Sequence, residues 1–239
     1  MNTATGADPR RRPAVVRWPD RDAALLWAFA VVAAVELVAV ATDVPAAQWL
    51  AKPLLAPLLL AWLWQVHAAD RPIAVGLVLA TAGDVALLIP SDTAFLVGMG
   101  CFLGTQVAFS TAFIGHRRPR PAAVAGYLTL WAVANALLWP RLGDLRLPVL
   151  GYSLALSLMA ATATAVGRRV AAGGALFLFS DLLIGLGAGG TRLPGHDVLV
   201  MATYSAALFM ISIGWAARAS DRGRGRRPRR RSGPARPPA

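Results

Sequence analysis

AALLWAFAVVAAVELVAVAT, residues 23–42, decides the class of fold. One ionisable side chain, Glu36, interrupts an otherwise apolar block. As a helix it would span about 30 Å, the thickness of a bilayer's hydrocarbon layer. Comparable blocks follow at about 50–67, 73–90, 94–114, 121–140, 147–166, 171–189 and 197–217. The connections between them carry turn chemistry: Asp43-Val44-Pro45, Asp70-Arg71-Pro72, Pro90-Ser91-Asp92, and Gly189-Gly190 ahead of Pro194-Gly195. The pattern predicts an all-α, polytopic transmembrane bundle of about eight spans occupying residues 23–217.

Composition agrees. Hydrophobic residues make up 56% of the 239, and charged residues only 15%, whereas a soluble domain averages about 25% charged. The net charge of +12 sits mostly in two tails, 1–22 and 218–239, both rich in Arg and Pro and expected to be disordered. Such tails suit anionic lipid headgroups and fix topology; a nucleic-acid partner is not expected. With the N-terminus inside, the cytoplasmic segments hold Arg10–Arg12, Arg71, Arg117, Arg118, Arg120, Arg168, Arg169 and the C-terminal cluster. The outer loops then hold only Arg141, Arg146 and Arg192. The expected location is therefore the cell membrane, multi-pass, with both termini cytoplasmic.

Charges inside spans are costly, so they mark candidate sites. Asp84 follows Ala82-Gly83 in the third span, and Asp181 follows Phe179-Ser180 in the seventh. Each precedes aliphatic residues, and the two lie four spans apart. A 4+4 parallel repeat is one reading of that spacing. Counted from the apolar blocks, both carboxyls lie about 15 Å deep, near the midplane. Glu36, Gln106, Asn135, Thr203 and Tyr204 fall in the same middle-to-outer zone. Lys52, the chain's single lysine, opens span two on the outer side. There it would either snorkel to the interface or stand over the acidic cluster, meeting a phosphate or holding a carboxylate ionised.

Other chemistries lack their residues. The three histidines fall at span ends or in loops without His-x-x-x-His spacing, so no metal site is expected. Cys101 stands alone, which rules out an intrachain disulfide. No Gly-x-Ser-x-Gly elbow, phosphate-binding loop or nucleotide fingerprint occurs, and no cofactor is expected.

The order Lys52-Pro53-Leu54, Gly83-Asp84-Val85-Ala86-Leu87-Leu88, Phe95 to Phe113, Leu176-Phe177-Leu178-Phe179-Ser180-Asp181 and Thr203-Tyr204 resembles the YhhN/TMEM86 family over roughly residues 25–216. The resemblance implies an eight-span membrane hydrolase, a lysoplasmalogenase that cleaves the vinyl-ether bond of a lysophospholipid to a fatty aldehyde and a glycerophospho-base. It makes Lys52, Asp84 and Asp181 the family's polar signature positions. Gln106 stands where a His is usual, and Leu208 where a Gln or His is usual.

The chemistry suits the residues independently. Protonating the outer alkene carbon of a vinyl ether gives an oxocarbenium ion. Two neighbouring carboxyls that cannot both ionise cheaply supply one acid and one base, as in glycosidases. Asp84 and Asp181 are therefore the candidate catalytic pair, with Lys52, Glu36, Gln106, Asn135 and Tyr204 as substrate-binding candidates. Two other classes fit the same carboxyls: a proton-coupled small-molecule transporter and a non-catalytic lipid-binding protein.

Overall fold

The computed structural model describes residues 20–225. Most of the two tails, 1–19 and 226–239, lies outside the described residues. Nine α-helices carry the described chain: α1 (Asp20–Ala41), α2 (Pro45–Ala51), α3 (Leu55–Gln65), α4 (Arg71–Leu87), α5 (Asp92–His116), α6 (Pro121–Leu138), α7 (Arg146–Val166), α8 (Arg168–Ala188) and α9 (His196–Gly225). No strand occurs among the described residues. A 3-10 turn, Lys52–Leu54, joins α2 to α3, so the two form one broken span, Pro45–Gln65.

Seven of these segments are long and apolar enough to cross a membrane; α4, with 17 residues, is the shortest of the eight. The chain is a polytopic helical membrane protein. Its outer surface is apolar, as a lipid-facing surface must be: Trp27, Leu50, Leu137 and Leu147 are each more than 70% exposed.

Local chemistry sets the boundaries. Asp70 accepts a hydrogen bond from the Ile73 amide at 3.4 Å and Pro72 occupies the first turn, which starts α4 ahead of its apolar block. Ser91 does the same for α5 through the Ala94 amide at 3.1 Å. Helix α4 ends at Leu87, three residues short of the expected end, because Pro90 disfavours helical backbone at Ile89. Span two begins at Pro45 rather than at residue 50, Pro being suited to a first turn. At the far end α9 runs on to Gly225, beyond the expected end of the last span.

The core is built where helices approach closely. Helix α4 packs along α5, and α8 along α9; α7 bridges α5 and α8, and α1 closes over α3 and α9. Small residues permit both close pairs. A methyl added at Gly83 would lie 2.8 Å from the Phe102 ring, and one at Gly173 would lie 2.9 Å from the Ala207 carbonyl and the Ile211 amide nitrogen. Helix α6 is peripheral and packs chiefly on α7.

Helices α4 and α8 begin at Arg71 and Arg168, two and three residues before the apolar blocks. Asp84 and Asp181 each lie thirteen positions past those arginines, about 20 Å along their helices. Both carboxyls sit toward the distal end of the bundle, away from the end that carries the first and last described residues.

Candidate functional site

Asp84 is fully buried between α4 and α9, and its Oδ2 accepts a hydrogen bond from the Tyr204 hydroxyl at 2.7 Å. The other oxygen, Oδ1, has no hydrogen-bond partner but lies 3.9 Å from Lys52 Nζ. Lys52 sits in the break of span two, and its side chain is 13% exposed. The break is what places it. Pro53 and Pro57 each lack an amide hydrogen, so the backbone around Lys52 departs from regular α-helix. The lysine therefore lies seven positions inside the span instead of at its mouth, and its ammonium turns toward a carboxylate. Such a pair is worth keeping in an apolar interior, where an unpaired charge is costly.

Asp181 stands in α8 with its Oδ2 accepting from the Tyr152 hydroxyl of α7 in a short hydrogen bond. Asp84 and Asp181 are near enough to interact electrostatically, and Tyr204 interacts with both. Glu36 of α1 is fully buried, with neither oxygen hydrogen-bonded among the described residues, and it faces Lys52 and Asp84 electrostatically. Gln106 is also fully buried; its amide faces the Tyr152 hydroxyl without a hydrogen bond of ordinary geometry. Six polar side chains from α1, α4, α5, α7, α8 and α9, together with Lys52, thus converge in one interior region.

Aromatic rings floor that region. Phe102, Phe177 and Tyr204 meet edge to face, with centroids 5.6 to 6.2 Å apart. Phe177 lies one turn before Asp181 on α8, so the floor sits on the side nearer the chain termini. An apolar slot adjoins the region, walled by α5, α6, α7 and α8, with Phe95, Trp131, Leu156, Leu182 and Gly185 among its lining residues. Asp181 and Tyr152 are part of its wall. A smaller adjoining cavity shares both residues and reaches Leu87 and Phe102.

Of the residues singled out from sequence, Asp84, Asp181, Lys52, Glu36, Gln106 and Tyr204 come together. Asn135 lies apart, across the slot on α6, where its side-chain amide donates to the Trp131 carbonyl at 2.9 Å and to Ser153 Oγ at 3.0 Å. Thr203 turns its hydroxyl back to the Leu199 carbonyl of its own helix at 2.7 Å. Tyr152 was absent from the expectations. A signal existed: the chain has three tyrosines, and one inside a span brings a hydroxyl that needs a partner. Among the described residues no group of three or more His, Cys, Asp or Glu side chains is placed to hold a metal ion.

The sequence profile of the YhhN family matches residues 47–215, from the break region of span two through α9. This chain is a member of the YhhN family. A similar curated protein is Lysoplasmalogenase TMEM86B of Sus scrofa, 33% identical over 142 residues, which is 57% of this chain and 60% of that protein. The aligned part of this YhhN protein thus spans less than two thirds of its relative's length. No solved structure matches it. The matched YhhN region contains Lys52, Asp84, Gln106, Tyr152, Asp181 and Tyr204, while Glu36 precedes it.

Proposed function

We propose that this YhhN protein is a membrane hydrolase of the lysoplasmalogenase type, cleaving the vinyl-ether bond of a single-chain ether phospholipid. One observation carries the reading: two carboxyls from α4 and α8, each held by a tyrosine hydroxyl, converge in a buried region beside an apolar slot. A family likeness to a protein named for this activity supports it.

A protonated carboxyl delivers its proton to the outer alkene carbon, and the electron pair of the double bond forms the new C–H bond. The ether oxygen shares its lone pair to give an oxocarbenium ion, which the second carboxyl stabilises as an anion. Water adds to the cationic carbon and gives up a proton to the carboxylate that delivered the first one. The hemiacetal then breaks its C–O bond, releasing a fatty aldehyde and a glycerophospho-base, with the proton passing to the departing oxygen. Low polarity around the site strengthens each charge interaction in these steps. Lys52 and Glu36 bear on the pair through Asp84, Tyr204 orders the Asp84 oxygen it donates to, and Gln106 faces the tyrosine that holds Asp181. Asn135 lines the substrate's path through the slot.

The termini lie on the cytoplasmic side, as the arginine distribution supports, and the basic tails rest on anionic headgroups. Mass spectrometry of lysolipids incubated with purified protein in bilayers should show loss of the vinyl-ether species and gain of aldehyde. Asp84→Asn and Asp181→Asn should each abolish the release while the protein still purifies as a folded, monodisperse species. Near-normal turnover in both variants would overturn the reading. Proton-driven uptake into vesicles with no product formed would favour a transporter instead.

A further inference from the structure

The two carboxyls differ in what they can reach. Asp84 is sealed: its exposure is zero, and it lines neither the slot nor the smaller cavity beside it. Asp181 forms part of the wall of both cavities at the centre of the bundle. On α8 it shares a face with Leu178 inward and with Gly185 and Ala188 outward, all of which border the slot. That face runs about 15 Å, and small residues keep its distal half open.

We propose that the slot seats one unbranched hydrocarbon chain, that Asp181 is the carboxyl meeting the reacting bond, and that Asp84 is a positioning residue behind it. This rests on the hydrolase reading for the identity of the bond, but the seat and the division of roles stand on the geometry. Few polar groups face the slot, and those on α6 and α7 are largely satisfied within the wall: Asn135 donates to Trp131 and Ser153, and Ser153 Oγ donates to the Leu150 carbonyl at 3.3 Å. A wall whose polar atoms already have partners favours an apolar occupant. Leu130, which borders the slot, is 43% exposed, so the slot opens sideways toward lipid between helices. A chain can slide in from the bilayer without its headgroup crossing the hydrocarbon. Asp84, fixed by Tyr204 and Lys52, then acts through its charge on Asp181 and never touches the chain.

The test uses a single-chain amphiphile with an epoxide near its headgroup. A carboxylate that meets the chain opens the ring: its oxygen forms an ester bond to carbon, the ring C–O bond breaks, and the alkoxide takes a proton from water. Peptide mass spectrometry of the full-length protein in bilayers should find the ester on Asp181 and none on Asp84. Gly185→Leu should cut labelling at least ~tenfold, since a methyl there meets only Leu138, at 3.8 Å, and the longer side chain fills the slot. Gly185→Ala, which adds only that methyl, should fold normally and cut labelling less. Asp84→Asn should keep the label on Asp181 but shift the infrared carboxyl band that Asp181→Asn removes.

An ester on Asp84, equal labelling of wild type and both Gly185 variants, or an unmoved band in Asp84→Asn would each overturn the proposal. Labelling does not depend on vinyl-ether turnover. Labelling as expected without aldehyde release would sink the hydrolase reading alone; aldehyde release without labelling of Asp181 would sink this one.

Discussion

Tyr204 and Tyr152 show how much of the site hangs on single hydroxyls. Tyr204→Phe removes the 2.7 Å hydrogen bond to Asp84 and leaves both oxygens of a fully buried carboxyl without a donor. Leaving such a group unsatisfied costs about 1–3 kcal/mol, more when it is charged. Thermal unfolding in detergent should therefore register a clear drop in midpoint. Tyr152→Phe strips the same kind of donor from Asp181, which borders cavities instead of packed side chains. Its stability cost should be smaller, with turnover falling at least ~tenfold, about the effect of one catalytic hydrogen bond. If the two variants lose stability equally, the contrast between a sealed and an open carboxyl fails. The pair of aspartates was legible in the sequence because a charge inside an apolar span stands out. Their tyrosine partners were only half legible. Tyr204 was marked by its depth, whereas Tyr152 reads in a linear sequence like any aromatic near the end of a span, and only the fold turns it toward Asp181.

Helix boundaries and helix contacts belong to the next scale. The apolar blocks located every span, since hydropathy reports a property each segment has by itself. They could not reveal the break at Lys52–Leu54, which comes from two prolines acting on backbone bonds within an unbroken apolar run. Hence Lys52 read equally as a snorkelling helix-end lysine or as a cation over the acidic cluster, and its ammonium lies 3.9 Å from Asp84. Replacing both Pro53 and Pro57 with Ala should restore a regular helix there and swing the ammonium off Asp84. Aldehyde release should fall several-fold, with helix content by circular dichroism unchanged or slightly higher. Glycines separate along the same lines. Gly173→Val drives a side chain into the backbone of α9 and should cost roughly 1–3 kcal/mol, as overpacking does. Gly100→Ala meets nothing within 4 Å and should be neutral or stabilising by about 0.5–1 kcal/mol. A thermal-stability comparison of the two variants checks both expectations, and equal midpoints would contradict the close α8–α9 approach.

Across the whole molecule, seven segments are long and apolar enough to cross a membrane; with the 17-residue α4 as an eighth crossing, the proposed topology puts both ends of the chain on the cytoplasmic side, as the arginine distribution predicts. In a Cys101→Ser background, Asp144→Cys in the α6–α7 connection should react with a membrane-impermeant maleimide on intact cells. Arg118→Cys in the α5–α6 connection should react only after permeabilisation. The reverse pattern would invert the topology and place the distal site on the cytoplasmic face. Two features recur four spans apart. Asp84 and Asp181 hold matching positions on α4 and α8, and the close pair α4–α5 has its counterpart in α8–α9. The sequence showed the first of these as a short matching motif. The second depends on which glycines face a neighbour, a fact that rotation about a helix axis conceals until the helices are packed.

The sideways opening past Leu130 has a kinetic corollary. A ligand that arrives through the lipid is counted by its fraction among neighbouring lipids, not by its amount per volume of buffer. Turnover should accordingly fall when inert lipid is added at constant total substrate, and stay constant when the whole suspension is diluted with water.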